Sequence, residues 1–146
     1  MSYLLDTNHC AYVLNGLYKK PSRRKPEETL AIGRFEALSG ERLFMAEASL
    51  GELVFGTCLS PRRAVLTERL EVFVQAVVPV AVDRPCWLLF GETKAELQKR
   101  GRPIQDVDLL IACVAKRYGL VLVSNDSAFR NLPESFQVEN WTEPEE

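Results

Sequence analysis

The stretch Tyr3-Leu4-Leu5-Asp6-Thr7-Asn8 decides the fold that this chain predicts. Its three apolar residues form a short run that is typical of a buried strand. The run ends at an acid and two small polar residues, which can cap a helix or hydrogen-bond a carboxylate or a phosphate. Because ligands of open α/β sheets bind at the carboxyl ends of the strands, we expect Asp6 to face a binding crevice. Taken alone, the stretch also suits a strand-to-helix turn with a capping residue.

Four more apolar segments of strand type follow, and helical patterns separate them. The predicted order is β-α-α-β-α-α-β-α-α-β-α-β. Strands alternating with helices predict an α/β fold, a single domain with a mostly parallel, twisted sheet of about five strands and helices on both faces. The later strands are expected at 43–45, 77–82, 120–123 and 136–138, and Pro79 makes the second of these an edge strand. The helices are expected from about 9 to Gly16, at 27–38, from Ser49, from Pro61 to about Gln75, at 87–99 and at 106–118.

Composition is that of an ordinary globular domain. The 146 residues are 47% hydrophobic and 26% charged, with a net charge of -2. We find neither an apolar run long enough to span a bilayer nor a secretory signal pattern, so we expect a cytoplasmic protein without a membrane partner. The four cysteines are scattered and His9 is the only histidine, which makes a zinc site a poor interpretation.

Basic residues are concentrated in a loop expected between Tyr18 and Pro26. The net charge argues against non-specific binding of nucleic acid by the whole surface, but it leaves room for a local basic strip. A solvated loop is the simpler interpretation of such a cluster. The alternative is contact with nucleic-acid phosphates, and its candidates are Lys19, Lys20, Arg23, Arg24 and Lys25, with Arg102 further along the chain.

Acidic residues recur at comparable places along the chain. Asp6 and Asp126 each follow a predicted strand, and Asp108 lies beside Asp106 at the start of a predicted helix. Glu52 completes an S-x-x-E capping box with Ser49, which would place it in the first turn of its helix. Each acid has a structural explanation, since Asp106 can cap, Asp108 suits the positive end of a helix and Asp126 can begin a turn.

Together these acids indicate a metal site. Helices that follow parallel strands begin at the carboxyl edge of the sheet, so the acids can converge on one crevice. Carboxylates within about 4–6 Å of one another repel unless protons or a cation lie among them. Hard oxygen ligands suit Mg²⁺ or Mn²⁺, which can activate water and stabilise charge on a phosphate. No serine–histidine or cysteine–histidine arrangement and no glycine-rich phosphate loop competes with this interpretation.

Several blocks of the chain resemble one known family. In order and spacing, nearly the whole chain is similar to PIN-domain ribonucleases of the VapC toxin type, from bacterial type II toxin–antitoxin systems. Each block alone is weakly specific, and their combination is specific. The blocks are Tyr3 to Asn8; Ser49 to Leu53 with Gly56; Pro103-Ile104 with Asp108, Ile111 and Ala112; Leu122 to Asp126 with Phe129; and Val138 with Asn140 and Trp141.

The resemblance implies a metal-dependent endoribonuclease. Asp6, Glu52 and Asp108 would be the main acids that hold Mg²⁺ or Mn²⁺, and Asp126 a fourth, more variable one. The metal would lower the pKa of a water that attacks the phosphodiester. Supporting residues would be Thr7 and Ser124, which would orient carboxylates or hold a water, together with Asn8 and Asp106, of which Asp106 is expected mainly to cap its helix.

The resemblance also implies partners and a domain boundary. A homodimer and a cognate VapB-type antitoxin are expected, with the antitoxin's tail covering the acids. Apolar grooves near 30–38 and 48–59 are candidate docking sites for it, and a basic antitoxin side chain would displace the metal. The PIN domain would span 1–141, followed by an acidic tail, 142–146, that we expect to fray.

Two other classes of function remain open. A phosphatase of the haloacid-dehalogenase type also begins with an Asp after its first strand, but it requires a second Asp two residues later, where this chain has Asn8. A non-catalytic PIN-like module that binds RNA or protein is the other alternative. The presence of all four acids counts against it.

Overall fold

The computed structural model describes residues 1–144, in which helices and parallel strands alternate. Short 3-10 turns lie at Pro21–Arg23 and Ser127–Asn131. The strands are β1 (Tyr3–Leu5), β2 (Leu43–Ala46), β3 (Val77–Val80), β4 (Val121–Val123) and β5 (Val138–Glu139), and the α-helices are α1 (Thr7–Leu17), α2 (Pro26–Ala37), α3 (Glu47–Leu59), α4 (Arg63–Ala76), α5 (Arg84–Lys99) and α6 (Asp106–Arg117).

The sheet has the order β3-β2-β1-β4-β5, and every pair of neighbours is parallel. The α/β fold and the five-stranded sheet that the sequence predicts are confirmed, as is the edge position of the strand that contains Pro79. The chain moves outward from β1 through β2 to β3 and then continues on the other side of β1. Strand order therefore reverses between β1 and β4, and at such a switch point the flanking connections diverge and leave a crevice. The backbone N–H of Asp6 donates to Val123 O over 3.0 Å at this crevice.

Alternate residues of the strands point into two separate cores, so helices cover both faces of the sheet. Leu4 and Leu122 belong to the core built with α5 and α6. Leu5, Met45 and Val123 belong to the opposite core, which also contains Trp141 and residues of α1, α2 and α4. The acidic edge is thus fixed by strands that are buried on both sides.

Glycines end the two helices of the first core, as the sequence predicts. Gly101 follows α5 with φ 68°, and Gly119 follows α6 with φ 67°. Side chains with a Cβ rarely adopt this left-handed conformation. Residues after each glycine bond back into the helix, as Arg102 N–H does to Leu97 O over 2.9 Å. This turn leads the chain directly to the start of α6.

The expected start of α3 at Ser49 is wrong. The helix begins at Glu47, directly after β2, and Ala46 is its N-cap without a side-chain hydrogen bond. Ser49 is therefore the third residue of the helix, and Glu52 lies in its second turn rather than its first. The S-x-x-E pattern is present, but the strand continues into the helix without the loop that a Ser49 cap would require.

Other helix starts also differ from the expectation. Pro61 lies before α4, which begins at Arg63. Helix α5 begins at Arg84, earlier than expected, because Asp83 caps it by accepting a hydrogen bond from Cys86 N–H. Asp106 does not cap α6, because the Gln105 side chain accepts the bond from Asp108 N–H and Asp106 is the first helical residue. The carboxylate of Asp106 instead forms an exposed ion pair with Lys94, 3.0 Å away.

The last described residues continue from β5. Trp141 is completely buried, and Thr142 N–H donates to Asn140 Oδ1 over 2.8 Å. The frayed tail predicted for 142–146 ends in Glu145 and Glu146, which lie outside the described residues. Within residues 1–144, no helix combines the length and the hydropathy needed to cross a membrane.

Candidate active site

Asp6 is the anchor of the site. It is only 6% exposed, and it caps α1 with its Oδ1, which accepts the backbone N–H of His9 over 2.8 Å. The same oxygen lies 3.1 Å from Nδ1 of the His9 ring. Among the described residues, no hydrogen-bond donor contacts Oδ2 of Asp6. One oxygen of the carboxylate is thus held by the protein, and the other remains for a ligand.

Glu52 is brought to the crevice from another element. Its Oε1 lies 2.7 Å from Oγ1 of Thr7, the first residue of α1. Thr7 Oγ1 also lies 3.1 Å from Oγ of buried Ser49. A carboxylate only accepts, so Thr7 uses its single proton toward Glu52, and the proton of Ser49 completes the second contact. The side chain of Glu52, which lies on an exposed part of α3, is therefore oriented by two hydroxyl groups.

The pKa of Asp108 is affected by the other three candidate acids. Burial, followed by the negative charges of Asp126, Glu52 and Asp6, raises the pKa of this carboxyl. Like charges that act on one partly buried group must lie near it, because the repulsion weakens with distance and screening. The charges of the other three acids therefore act on Asp108, and this repulsion favours a proton or a cation beside it.

Asp126 is fixed in place by its local turn. Ser124 Oγ accepts the backbone N–H of Asp126 over 3.1 Å, and Asp126 Oδ1 accepts Ala128 N–H over 2.9 Å. Ser124 itself is buried, at 3% exposed, and its backbone N–H donates to Glu139 O of β5. Ser124 thus contacts the backbone of Asp126 and not its carboxylate, so its expected part in orienting a carboxylate stays a prediction.

The donor set fits a hard divalent cation in its chemistry, since it consists of carboxylate oxygens that repel one another. Within residues 1–144, however, no three His, Cys, Asp or Glu side chains are close enough to hold an ion as they stand. Mg²⁺ usually keeps several waters and takes one or two carboxylates plus substrate phosphate, so it needs no protein cage of three ligands. The site fits a cation of this kind better than it fits zinc.

Two of the predicted supporting residues, Asn8 and Asp106, contact none of the four acids through a hydrogen bond in the described part of the chain. Asn8 is exposed in the first turn of α1, and among the described residues its side chain has no recorded hydrogen bond. Asp106 is exposed and paired with Lys94. Neither touches the four acids through a hydrogen bond.

A cleft of about 360 Å³ adjoins the acids between α1, α3 and α4. Thr7 and Glu52 lie at one end of it. A neighbouring cleft shares Arg69 and Leu66 with the first and adds basic residues from two elements. The first cleft is lined by Ala11, Leu14, Leu53, Leu66 and Arg69, and the second by Tyr18, Lys19, Lys25, Arg62 and Arg69.

The basic loop is divided between structural and exposed cations. Lys19 Nζ pairs with the buried carboxylate of Glu28 over 2.8 Å, and Arg24 Nε donates to Gly16 O over 2.9 Å. Lys20, Arg23 and Lys25 are exposed, as is Arg102 in the turn before α6. The loop is therefore bonded to α1 and α2 through two of its cations, and the other three face solvent.

Sequence reasoning missed two arginines near the site. Arg62 and Arg69 stand on or beside α4, and the guanidinium of Arg69 lies 4.3 Å from the centre of the Tyr18 ring. No sequence signal joins them to the basic loop, because only the fold brings α4 beside it. His9, the sole histidine of the sequence, is a neighbour that packs and hydrogen-bonds beside Asp6.

Comparison with known proteins identifies the family. The model of the PIN domain matches residues 3–135. The chain belongs to the PIN-domain family. Ribonuclease VapC2 from Rickettsia felis is 32% identical over 143 residues, which cover 97% of this chain and 98% of that protein. The tRNA(fMet)-specific endonuclease VapC from Salmonella typhimurium is 28% identical over 144 residues, with 97% and 98% covered.

Solved structures agree with this assignment. A structure of VapBC2 from Rickettsia felis bound to a DNA fragment from their promoter contains a chain with a TM-score of 0.81 and 26% identity, covering 97% of this PIN domain and 99% of that chain. VapBC-1 from nontypeable Haemophilus influenzae gives a TM-score of 0.79 and 27% identity, with 98% and 100% covered. The resemblance to VapC-type PIN domains is confirmed, and a haloacid-dehalogenase phosphatase is excluded.

Proposed function

We propose that this PIN domain is an endoribonuclease of the VapC toxin type that uses Mg²⁺, or Mn²⁺ in its place. One observation carries the proposal: Asp6 follows β1 at the strand-order switch point, and the 2.7 Å contact between Thr7 and Glu52 brings a second carboxylate to the same edge. The raised pKa of Asp108, caused by burial and by Asp126, Glu52 and Asp6, agrees with it. Carboxylates that repel one another at a strand-order switch point lower the stability of the fold. A bound cation with a phosphate ligand would offset this repulsion. The names of the similar VapC proteins, which include ribonuclease and tRNA endonuclease, support RNA as the substrate.

Each acid has a separate task in this proposal. Asp6, Glu52 and Asp108 would bind the cation, one or two of them directly and the rest through its waters, and Asp126 would stand near it as a fourth acid. When bound, the cation supplies an activated water and stabilises charge on the phosphate. Thr7 and Ser49 orient Glu52, while Ser124 holds the backbone of Asp126. Asn8 remains a candidate for contact with substrate, since it is exposed beside the site, whereas Asp106 is paired with Lys94.

We propose that the RNA backbone follows the two clefts away from the acids. Arg62 and Arg69 join Lys25 along this path, and the Tyr18 ring lies under Arg69. Cations contact phosphates and an aromatic ring can stack a base, which is how single strands are held without sequence readout. Lys20, Arg23 and Arg102 are exposed and available to extend the contact, whereas Lys19 and Arg24 also support the loop itself.

The protein is further proposed to act with a VapB-type antitoxin. Similarity to chains in VapBC complexes supports this partner. The apolar wall of the first cleft, with Leu14, Leu53 and Leu66, suits an antitoxin segment, and Glu52 at its end suits a basic side chain that would displace the cation. The groove expected near 48–59 is therefore the preferred docking site over the one near 30–38.

We also propose a homodimer and a cytoplasmic location. Val54, Phe55 and Leu59 on α3 are 42%, 64% and 71% exposed, a cluster that a second copy of the chain could cover. The four cysteines are unpaired, which suits a reducing compartment.

The test of the nuclease function is incubation of purified protein with total cellular RNA. Three samples contain Mg²⁺, Mn²⁺ or EDTA. We expect discrete fragments with either metal and none with EDTA, and the fragment ends would name the RNA that is cut. Equal cleavage in EDTA would contradict metal dependence.

A non-catalytic module that binds RNA or protein is the second candidate. It is favoured by the lack, within the described residues, of three acids placed to hold an ion as they stand. Titration of Mn²⁺ into the protein by calorimetry separates the two functions. Binding that is lost in Asp6→Asn supports the nuclease, and heat no larger than dilution supports the module.

A further inference from the structure

His9 is a fully buried polar residue that packing alone does not require. Its exposed fraction is 0%, although it sits in the first turn of α1 beside the acids. The rings of Tyr12 and Trp141 enclose it edge-on, with centroids 5.5 and 6.4 Å from its own. A leucine would fill such a place without hydrogen-bonding groups to satisfy, so the contacts of the two ring nitrogens must explain the imidazole.

The two nitrogens face partners of opposite kinds. Nδ1 lies 3.1 Å from Oδ1 of Asp6, which can only accept while it is ionised. Nε2 lies 3.4 Å from the backbone nitrogen of Trp141, whose N–H can only donate. The neutral ring with its proton on Nδ1 satisfies both contacts. A proton on Nε2 would face another N–H, and an unprotonated Nδ1 would face a carboxylate.

This arrangement orients Asp6. The ring and the backbone N–H of His9 both donate to Oδ1, so two bonds of different direction fix the rotation of the carboxylate. They leave Oδ2, which has no hydrogen-bond partner among the described residues, as the oxygen available to a ligand. Hydrogen-bond partners of this kind orient ligating groups, and their loss typically lowers metal affinity by about 10–100-fold.

We propose that His9, held as the Nδ1–H tautomer by the backbone of Trp141, is a positioning residue that aims Asp6 at the cation. The inference rests on the proposed function and assigns to His9 no contact with metal or RNA. It also joins the end of the fold to the site, because Trp141 follows β5, 132 residues away in sequence. The C-terminal segment must be seated before Asp6 is held as described.

Three substitutions separate orientation from packing. Asn carries an amide nitrogen near the position of Nδ1, Gln carries its amide near the position of Nε2, and Leu fills the space without either. The variants are His9→Asn, His9→Gln and His9→Leu, with the Tm of each measured in EDTA to establish that it is folded. The readout is the dissociation constant for Mn²⁺ by calorimetry.

We expect His9→Asn to bind Mn²⁺ within about threefold of the original protein, and His9→Leu and His9→Gln to bind about 10–100-fold more weakly. Nitrogen-15 NMR of the metal-free original protein adds a measurement that needs no variant, and it should show a protonated Nδ1 and an unprotonated Nε2. A proton on Nε2, or His9→Leu binding as tightly as the original, would overturn the inference alone. Original protein that binds no Mn²⁺ would overturn the proposed function, and with it this role of His9.

Discussion

The Thr7 hydroxyl lies 2.7 Å from Oε1 of Glu52 and so joins the first residue of α1 to the second turn of α3. The two residues are 45 positions apart, and each follows a neighbouring parallel strand. Glu52 lies on an exposed part of its helix, where a glutamate ordinarily has many rotamers. The bond therefore selects the rotamer that holds the Glu52 carboxylate beside the start of α1.

Replacing Thr7 with Val should loosen Glu52. Valine has nearly the shape of threonine, so the change removes the donor to Glu52 and little packing. We expect Mn²⁺ affinity and the rate of RNA cleavage each to fall about tenfold, the lower end of the effect of removing a partner of a ligating carboxylate. Thr7→Ser keeps the hydroxyl and should stay within about threefold. Equal losses in both variants would assign Thr7 a packing role instead.

The acids should destabilise the metal-free fold as the pH rises. Burial and the neighbouring carboxylates raise the pKa of Asp108, so the folded protein holds this proton more tightly than the unfolded chain does. The resulting stability is fully present below the ordinary aspartate pKa and is lost as the pH rises through the raised one. Asp108→Asn removes this loss, so its Tm relative to the original should increase as the pH rises from about 4 to 7 in EDTA.

Asp106→Asn is the matched control for that measurement. Asp106 lies on the same helix two residues earlier, but it is exposed and paired with Lys94. Its exposed ion pair is worth little, so the Tm difference should stay within about 2 °C across the same pH range. A Tm difference for Asp108→Asn that is flat or falls with pH would contradict the repulsion among the acids.

Neutralising the cleft cations should reduce the salt dependence of RNA binding. Each phosphate contact with a single strand contributes about 0.7 to the slope of log affinity against log salt. We therefore expect Lys25→Gln and Arg62→Gln each to lower the slope by about 0.7, measured by fluorescence anisotropy with a labelled RNA and the Asp6→Asn protein. Arg42→Gln is the control. Arg42 lies just before β2, at the end of that strand away from the acids, so this change should leave the slope unchanged. An identical slope in all variants would contradict the binding of RNA in these clefts.

The exposed cluster on α3 should control self-association. Phe55→Ser combined with Leu59→Ser removes two largely exposed apolar side chains from one helix face. We expect the dissociation constant of the dimer, measured by sedimentation, to rise about tenfold or more, as when an apolar anchor is lost from an interface. Val72→Ser on α4 is equally apolar and 60% exposed, and it should leave the dimer intact. A dimer unaffected by the double change would place the interface elsewhere.

Sequence reasoning succeeded where local signals and topology agree. The apolar run of β1 ends at Asp6, and the parallel alternation of strands and helices places the acids that follow at one edge. Gly101 and Gly119 end their helices with positive φ, as glycine after a helical pattern predicts. These features depend on short segments whose patterns have few other solutions.

The errors in the predicted helix starts arose where another residue takes the capping position. Gln105 caps α6 although Asp106 is the better capping residue by type, because the chain enters the helix one position earlier. Ser49 matches a capping box, yet β2 continues directly into α3 and leaves Ser49 buried against Thr7. Contacts between distant segments, such as His9 with Trp141, had no local signal, since they depend on how the whole sheet is assembled.

The most direct test compares Asp108→Asn with Asp106→Asn for cleavage of the same RNA in Mg²⁺. Both changes remove one negative charge from the first turn of α6. The other three acids raise the pKa of Asp108, whereas Asp106 is exposed and paired with Lys94. The proposed function predicts that Asp108→Asn loses cleavage by about 100-fold or more and Mn²⁺ binding with it, while Asp106→Asn remains within about threefold of the original. Cleavage that persists in Asp108→Asn, or that falls equally in both variants, would contradict the assignment of these acids as the nuclease site.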